Sequence, residues 1–384
     1  MEREKVGGVV GGGCITPDSC MSSALAELAV YCAKRFNPKE MAFEQFPLDD
    51  ESHVAAWERY VGEAGNKGVY KTLSRYLVQF AFPIWAGIRE SESYRAVTLR
   101  GADRCLFPDA TGLRLRHPEA MALFLKQTAA GRIPVLLVPD REDFVDVVRV
   151  LSRRNEPVPI PASMGACTIQ GYNNWQRISE YRLRWEDTNP GGEWDDEFSA
   201  LREKRELYQD CFIVLSQGPY SGVEGRDIGM DDDAWVERSY LIRLHHECAH
   251  YVMRRLFGSM RNHLLDELIA DYAGIVAAFG AYSSDLFLRF IGLEDCPQYR
   301  PGGRMENYLG DPPLSEQAFV MLQRVVATAS ANLERADQEN RGIVFDASEQ
   351  LLPLVALSRL SLTELSDPAM PKMFRNHLLA LGQK

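Results

Sequence analysis

The run His245-His246-Glu247-Cys248-Ala249-His250 constrains this chain more than any other stretch, because it contains H-E-x-x-H. On a helix, residues four apart lie one turn above each other on one face. His246 and His250 therefore aim two imidazoles at one point, while Glu247 sits about 100° round, on the flank of that point. Two neutral imidazoles on a rigid helix make half of a tetrahedral zinc site. An adjacent carboxylate that does not bind the metal can take a proton from water activated there. The chemistry this pattern suits is metal-assisted hydrolysis. Four of the seven histidines, His245, His246, His250 and His263, fall in this short region, which speaks against chance spacing.

The segment that follows reads as a second helix, with Leu264, Leu265, Leu268, Ile269 and Tyr272 on an apolar face. It carries Asp266, Glu267 and Asp271, the last two one turn apart. A carboxylate from a second helix is what a His₂Glu catalytic site needs as its third ligand, leaving the fourth position for water. From the residues alone, Asp266 and Glu267 both stay open for that place.

Over roughly 210–280 the chain resembles the gluzincin metallopeptidases, the thermolysin-like group in which H-E-x-x-H is followed by E-x-x-x-D. The run Glu267-Leu268-Ile269-Ala270-Asp271-Tyr272-Ala273-Gly274 is also similar to the E-x-x-A-D-x-x-G of intracellular and membrane relatives in that clan. The resemblance implies that His246, His250 and Glu267 bind Zn²⁺, that Glu247 is general base and acid, and that Asp271 orients a ligating histidine through its other ring nitrogen. It also implies that the strand before the motif helix is an edge strand pairing with an extended peptide, which points to Ser216, Gln217 and Gly218 as substrate contacts. The longer metzincin pattern is absent, since Leu256 stands six places after His250. Cys248 lies off the His246/His250 face and is expected to pack rather than ligate.

Away from the motif, the sequence sets broader limits. A chain of 384 residues, 46% hydrophobic, buries a large core in one or two domains. The net charge of −11 argues against nucleic acid, which needs a basic face. No run approaches the roughly 18 apolar residues of a membrane span, and Met1-Glu-Arg-Glu-Lys-Val lacks the apolar core of a signal peptide. Eight scattered cysteines without a C-x-x-C pair read as reduced thiols, so a cytoplasmic protein is expected. The glycines of 7–13 miss the phosphate-loop spacing and read as a lead-in. Nothing in the sequence sets the oligomeric state.

The expected fold class is α+β: a zincin-like, mostly helical catalytic half with a small sheet (193–384), preceded by a mixed α/β half (1–190). The boundary is placed at the break Asn189-Pro190-Gly191-Gly192. Helices are expected after Asp18 as N-cap, with Leu25, Leu28, Ala29 and Cys32 inward, and then over 50–63, 67–90 with a bend at Pro83, 118–130, 141–153, 175–185 and 193–209. Strands are expected at 95–99, 133–138 and 211–215, and a loop or irregular strand at 157–175. Asp231-Asp232-Asp233 starts the motif helix, where anionic side chains suit the N-terminal dipole. Helices over 283–292, 314–338, 346–360 and 368–382 complete the chain, with a loop at 298–308. Tyr308, Arg304, His263 and Tyr220 are all chemically able to donate to a developing oxyanion.

The functional expectation is a zinc-dependent hydrolase, in the first place a metallopeptidase. Two rivals stand beside it. One is a zinc enzyme acting on a non-peptide small molecule, favoured by a narrow closed pocket. The other is a non-catalytic partner-binding protein on the same helices, although structural zinc sites use four protein ligands and more cysteine.

Overall fold

The computed structural model describes residues 17–33, 36, 46–258, 263–341 and 351–382. In chain order the elements are α1 (Pro17–Tyr31), α2 (Val54–Lys67), α3 (Val69–Tyr76), α4 (Glu92–Arg100), β1 (Ala122–Thr128), β2 (Gly131–Leu137), α5 (Arg141–Ser152), β3 (Ala166–Asn173), α6 (Trp175–Thr188), α7 (Trp194–Leu201) and β4 (Gln209–Leu215). The second half adds α8 (Asp232–Phe257), α9 (Leu264–Phe279), α10 (Ser284–Ile291), α11 (Glu316–Asn340), α12 (Leu352–Ser358), α13 (Leu362–Leu365) and α14 (Met370–Gly382). The described residues are thus α-rich with one small sheet. No helix among the described residues is long and apolar enough to cross a membrane.

The four strands run in the order β1-β2-β4-β3, with β2 parallel to β4 and the other two pairings antiparallel. Alternation along the strands gives each face its own core. Ile133, Val135, Ile213 and Leu215 face α8 and the C-terminal helices. Leu136, Ile169, Phe212 and Val214 face Trp57, Tyr60, Leu73 and Phe144 of α2, α3 and α5. A buried Asp210 fastens this second face, accepting from Arg177 Nη1 at 2.7 Å, Trp57 Nε1 at 2.8 Å and Asn174 Nδ2 at 2.7 Å.

This layout corrects the expected boundary. The strand β4, from beyond the 189–192 break, lies between β2 and β3 from before it, so both cores draw on each side of that turn. The expected edge strand is likewise central: β4 has partners on both sides, and the edges are β1 and β3.

Several local expectations also change. The β-branched run at 95–99 is helix α4, capped by Ser91 accepting from Tyr94 N–H, so the cap outweighs strand propensity. The pattern at 118–130 is a short 3₁₀ turn followed by β1, paired along its whole length with β2. The helix expected over 67–90 ends at Tyr76 and gives way to 3₁₀ turns at Val78–Ala81 and Ile88–Glu90. The one expected over 193–209 ends at Leu201, because β4 takes up Gln209. The first helix begins at Pro17 rather than after Asp18, and it buries Ala24 while Leu25 and Ala29 are exposed. The segment 157–175 contains the strand β3. The glycines at 7–13, Cys14 and the start of the helix expected at 346–360 lie outside the described residues.

Helices α8 and α9 carry the site, and the sequence explains their ends. Asp231 caps α8, its carboxylate accepting from Asp233 N–H and Ala234 N–H, and the helix stops at the left-handed Gly258. His263 caps α9 by accepting from Leu265 N–H, and Gly280 ends it. The two helices touch at Gly274, where an added Cβ would lie 2.7 Å from the Ile242 carbonyl oxygen. Only hydrogen fits there, so Gly274 sets how near α9 brings its carboxylates to the α8 histidines. A Gly274→Ala protein is expected to lose about 1–3 kcal/mol of stability through overpacking and to bind metal more weakly. Urea unfolding and metal titration check this, and a wild-type result in both would contradict it.

Candidate metal centre

The motif helix α8 places His246 and His250 on one buried face, and α9 brings Glu267 opposite them. His246 Nε2 and His250 Nε2 stand 3.1 Å apart. Glu267 Oε2 is 3.6 Å from His246 Nε2, and Oε1 is 3.5 Å from His250 Nε2. A tetrahedral zinc site with bonds of about 2.0–2.1 Å has edges of about 3.3–3.4 Å, which these separations bracket. Among the described residues, these three are the group of histidines, cysteines and carboxylates close enough to share an ion. Two imidazoles, one carboxylate and an open fourth side fit a catalytic rather than a structural zinc. Of the two carboxylates left open by the residues, Glu267 is the one whose oxygens lie within reach of both histidines.

Around this triad lies a set of groups that fix it. His246 Nδ1 donates to Asp271 Oδ1 at 2.8 Å, which leaves the Nε2 lone pair turned toward His250 and Glu267. Tyr220 O–H donates to the same oxygen at 2.6 Å. Arg304 Nη2 reaches Glu267 Oε2 at 2.6 Å and Asp271 Oδ2 at 3.2 Å, while Nη1 reaches Tyr220 Oη and Ser221 Oγ, each at 3.1 Å. Ser221 holds a left-handed backbone (φ 52°), a strained state for a non-glycine residue, and this aims its hydroxyl at Arg304. Burial would raise the carboxyl of Glu267, but His250 and Arg304 prevail and hold it well below the usual range. Asp271 is lowered in the same way, with Arg304 and His246 outweighing burial.

Burial opposes charge on His250, yet the hydrogen bond and charge of Glu267 outweigh it and raise its pKa to about 9. A metal needs the neutral ring. Below that pKa the proton competes, and each pH unit costs about tenfold in affinity, or about 1.4 kcal/mol. Zinc affinity, read by competition with a chelator of known pH dependence, is therefore expected to climb from pH 6.5 to about 9 and then level off. An affinity flat over that range would contradict this assignment.

Glu247 stands apart from the triad. Its Oε2 accepts from Thr168 Oγ1 of β3 at 2.5 Å. Both line a cavity of about 360 Å³ with His246, His250, Glu267, Arg243, Arg304 and Tyr308. Burial and the neighbouring Glu267 push the Tyr308 phenol far above its ordinary value, so it remains a neutral donor. Burial lowers the Arg243 guanidinium to about 10.

Of the residues named from sequence, His246, Glu247, His250, Glu267, Asp271, Tyr220, Arg304 and Tyr308 come together here. Three do not. His263 is the cap of α9, stacked on Tyr31 with Nε2 against the Tyr31 carbonyl oxygen at 3.0 Å. Ser216 is buried and donates its hydroxyl to the Gly165 carbonyl at 2.9 Å, and the Gly218 carbonyl accepts from Arg243. Because β4 is a central strand, its end is consumed by the fold rather than offered to a ligand. Cys248 is buried in the core on the far side of α8. The residues missed are Thr168, Arg243, Ser221 and Asn307. No spacing rule links Thr168 to Glu247, 79 positions away. Arg243 was legible in principle, one turn before His246 on the same helix face.

The sequence profile of a family of unknown function (DUF7005) matches residues 15–369, and the chain belongs to that family. No curated protein and no solved structure matches it.

Proposed function

We propose that this protein is a zinc-dependent hydrolase of the gluzincin type, acting on peptide bonds. The observation that carries the reading is the convergence of His246, His250 and Glu267 with a separate carboxylate, Glu247, on the wall of the same cavity. When bound, zinc would lower the pKa of a water to about 7 and polarise a carbonyl.

The remaining work falls to the chain. Glu247, positioned by Thr168, takes a proton from the attacking water and passes it to the leaving nitrogen. Asp271 holds His246 in one tautomer, and Arg304 holds Asp271 and Glu267 together. Tyr308 is the neutral donor for charge developing on the carbonyl oxygen. The cavity takes in residues 165–168 at the start of the edge strand β3, which suits an extended substrate pairing there.

The test is cleavage of a peptide library by zinc-loaded protein, read by mass spectrometry beside a metal-stripped control. Zinc-dependent products are expected. Intact peptides in both samples would pass the lead to the small-molecule reading, which the modest cavity favours.

A further inference from the structure

Two buried arginines border the cavity, and they are balanced differently. Arg304 faces Glu267 and Asp271. Arg243, 4% exposed, has neutral partners: Nη1 donates to the Gly218 carbonyl at 2.7 Å and Nη2 to the Pro219 carbonyl at 2.6 Å. Among the described residues it makes no ion pair; the neutral Tyr220 ring lies 5.7 Å from its Cζ, and Arg141 is a second cation nearby. Arg141 is itself held by the main-chain carbonyls of Pro161 and Met164, on the loop that rims the cavity. A buried guanidinium without a counter-charge is costly, and a like-charged neighbour adds to the cost.

The same loop makes room for it. A Cβ at Gly165 would lie 2.2 Å from Arg243 Nε and 2.7 Å from Cζ, so only glycine lets the guanidinium reach the wall. Arg243 also lies about one helical turn, roughly 5 Å of rise, from His246 and Glu247. A planar guanidinium is suited to pairing with a carboxylate. No described carboxylate pairs with Arg243, so a ligand in the cavity beside His246 and Glu247 can supply its counter-charge.

We propose that Arg243 receives a carboxylate of the substrate. Resting on the peptidase reading above, this narrows the substrate class to short peptides whose free C-terminal carboxylate sits beside the scissile bond. The cavity, about 360 Å³, suits that size, at the small end of ligand sites. Arg243 is a specificity residue here and takes no part in proton transfer.

The test uses the full chain, zinc-loaded and metal-free, titrated calorimetrically with benzoylglycine and with benzoylglycinamide. Wild type is expected to bind the acid at least about tenfold more tightly than the amide in both forms. Arg243→Gln keeps donors for the two carbonyls but removes the charge, and Gly165→Ala keeps the charge but displaces it. Each is expected to bring acid and amide within about twofold of each other, with circular dichroism confirming the fold. Equal binding of the two probes by wild type, binding of neither, or an acid preference surviving both substitutions overturns the proposal. Zinc content of the same samples is read separately. Its absence from wild type would sink the hydrolase reading, while the acid–amide comparison in metal-free protein still decides the role of Arg243.

Discussion

A Glu247→Gln protein is expected to hold zinc as the wild type does and to lose about 10²–10⁴-fold in turnover of any peptide that the library identifies. The substitution is nearly isosteric. Its amide oxygen can still accept from Thr168 Oγ1, so the cavity wall keeps its shape. Glu247 is outside the group of donors able to share an ion, so metal content should not move. What disappears is a carboxylate able to accept a proton from water and return it to the leaving nitrogen. Zinc content and steady-state rates on the same preparation check both halves. Wild-type turnover from the variant would remove Glu247 from the mechanism, and loss of zinc would mean that it ligates.

The largest effect on stability is expected at Arg304. Its guanidinium pairs with both Glu267 and Asp271, and it also joins Tyr220 and Ser221. Arg304→Met takes away the guanidinium that pairs with both buried carboxylates and leaves them only their histidine and tyrosine partners; breaking such a buried pair costs about 3–5 kcal/mol. Arg304→Lys restores a charge but not the fork that serves several acceptors at once, so only part of the loss should return. Urea unfolding of metal-free proteins separates the three. Equal midpoints for wild type and Arg304→Met would show that the carboxylates are compensated elsewhere.

Helices α8 and α9 were legible because their information is local. The spacing of His246 and His250, the cap at Asp231 and the apolar stripe of α9 are all contained within single helices. Glu267 and Asp271 followed from spacing together with the resemblance, and the structure brings both to His246. The rest of the site depends on pairings between distant segments. The strand β3 reads in the sequence as a loop or an irregular strand, and nothing there shows that it pairs with β4 and supplies Thr168. His263 was attractive as a histidine near the motif, but its ring is spent on capping α9 and packing on Tyr31. Ser216 and Gly218 follow a strand in chain order, and order along the chain does not say whether a strand is central or at an edge. The same blindness placed a domain boundary at 189–192, a turn whose two sides share one sheet.

The central claim is that His246, His250 and Glu267 form one metal centre. Elemental analysis of wild type, His246→Ala and Glu267→Ala in parallel tests it most directly. The account predicts about one zinc per chain in wild type, lost or greatly weakened in both variants, because a site with two ligands left binds far more weakly. A wild type that holds no zinc and takes up none when supplied would contradict it, and a partner-binding role on the same helices would then lead.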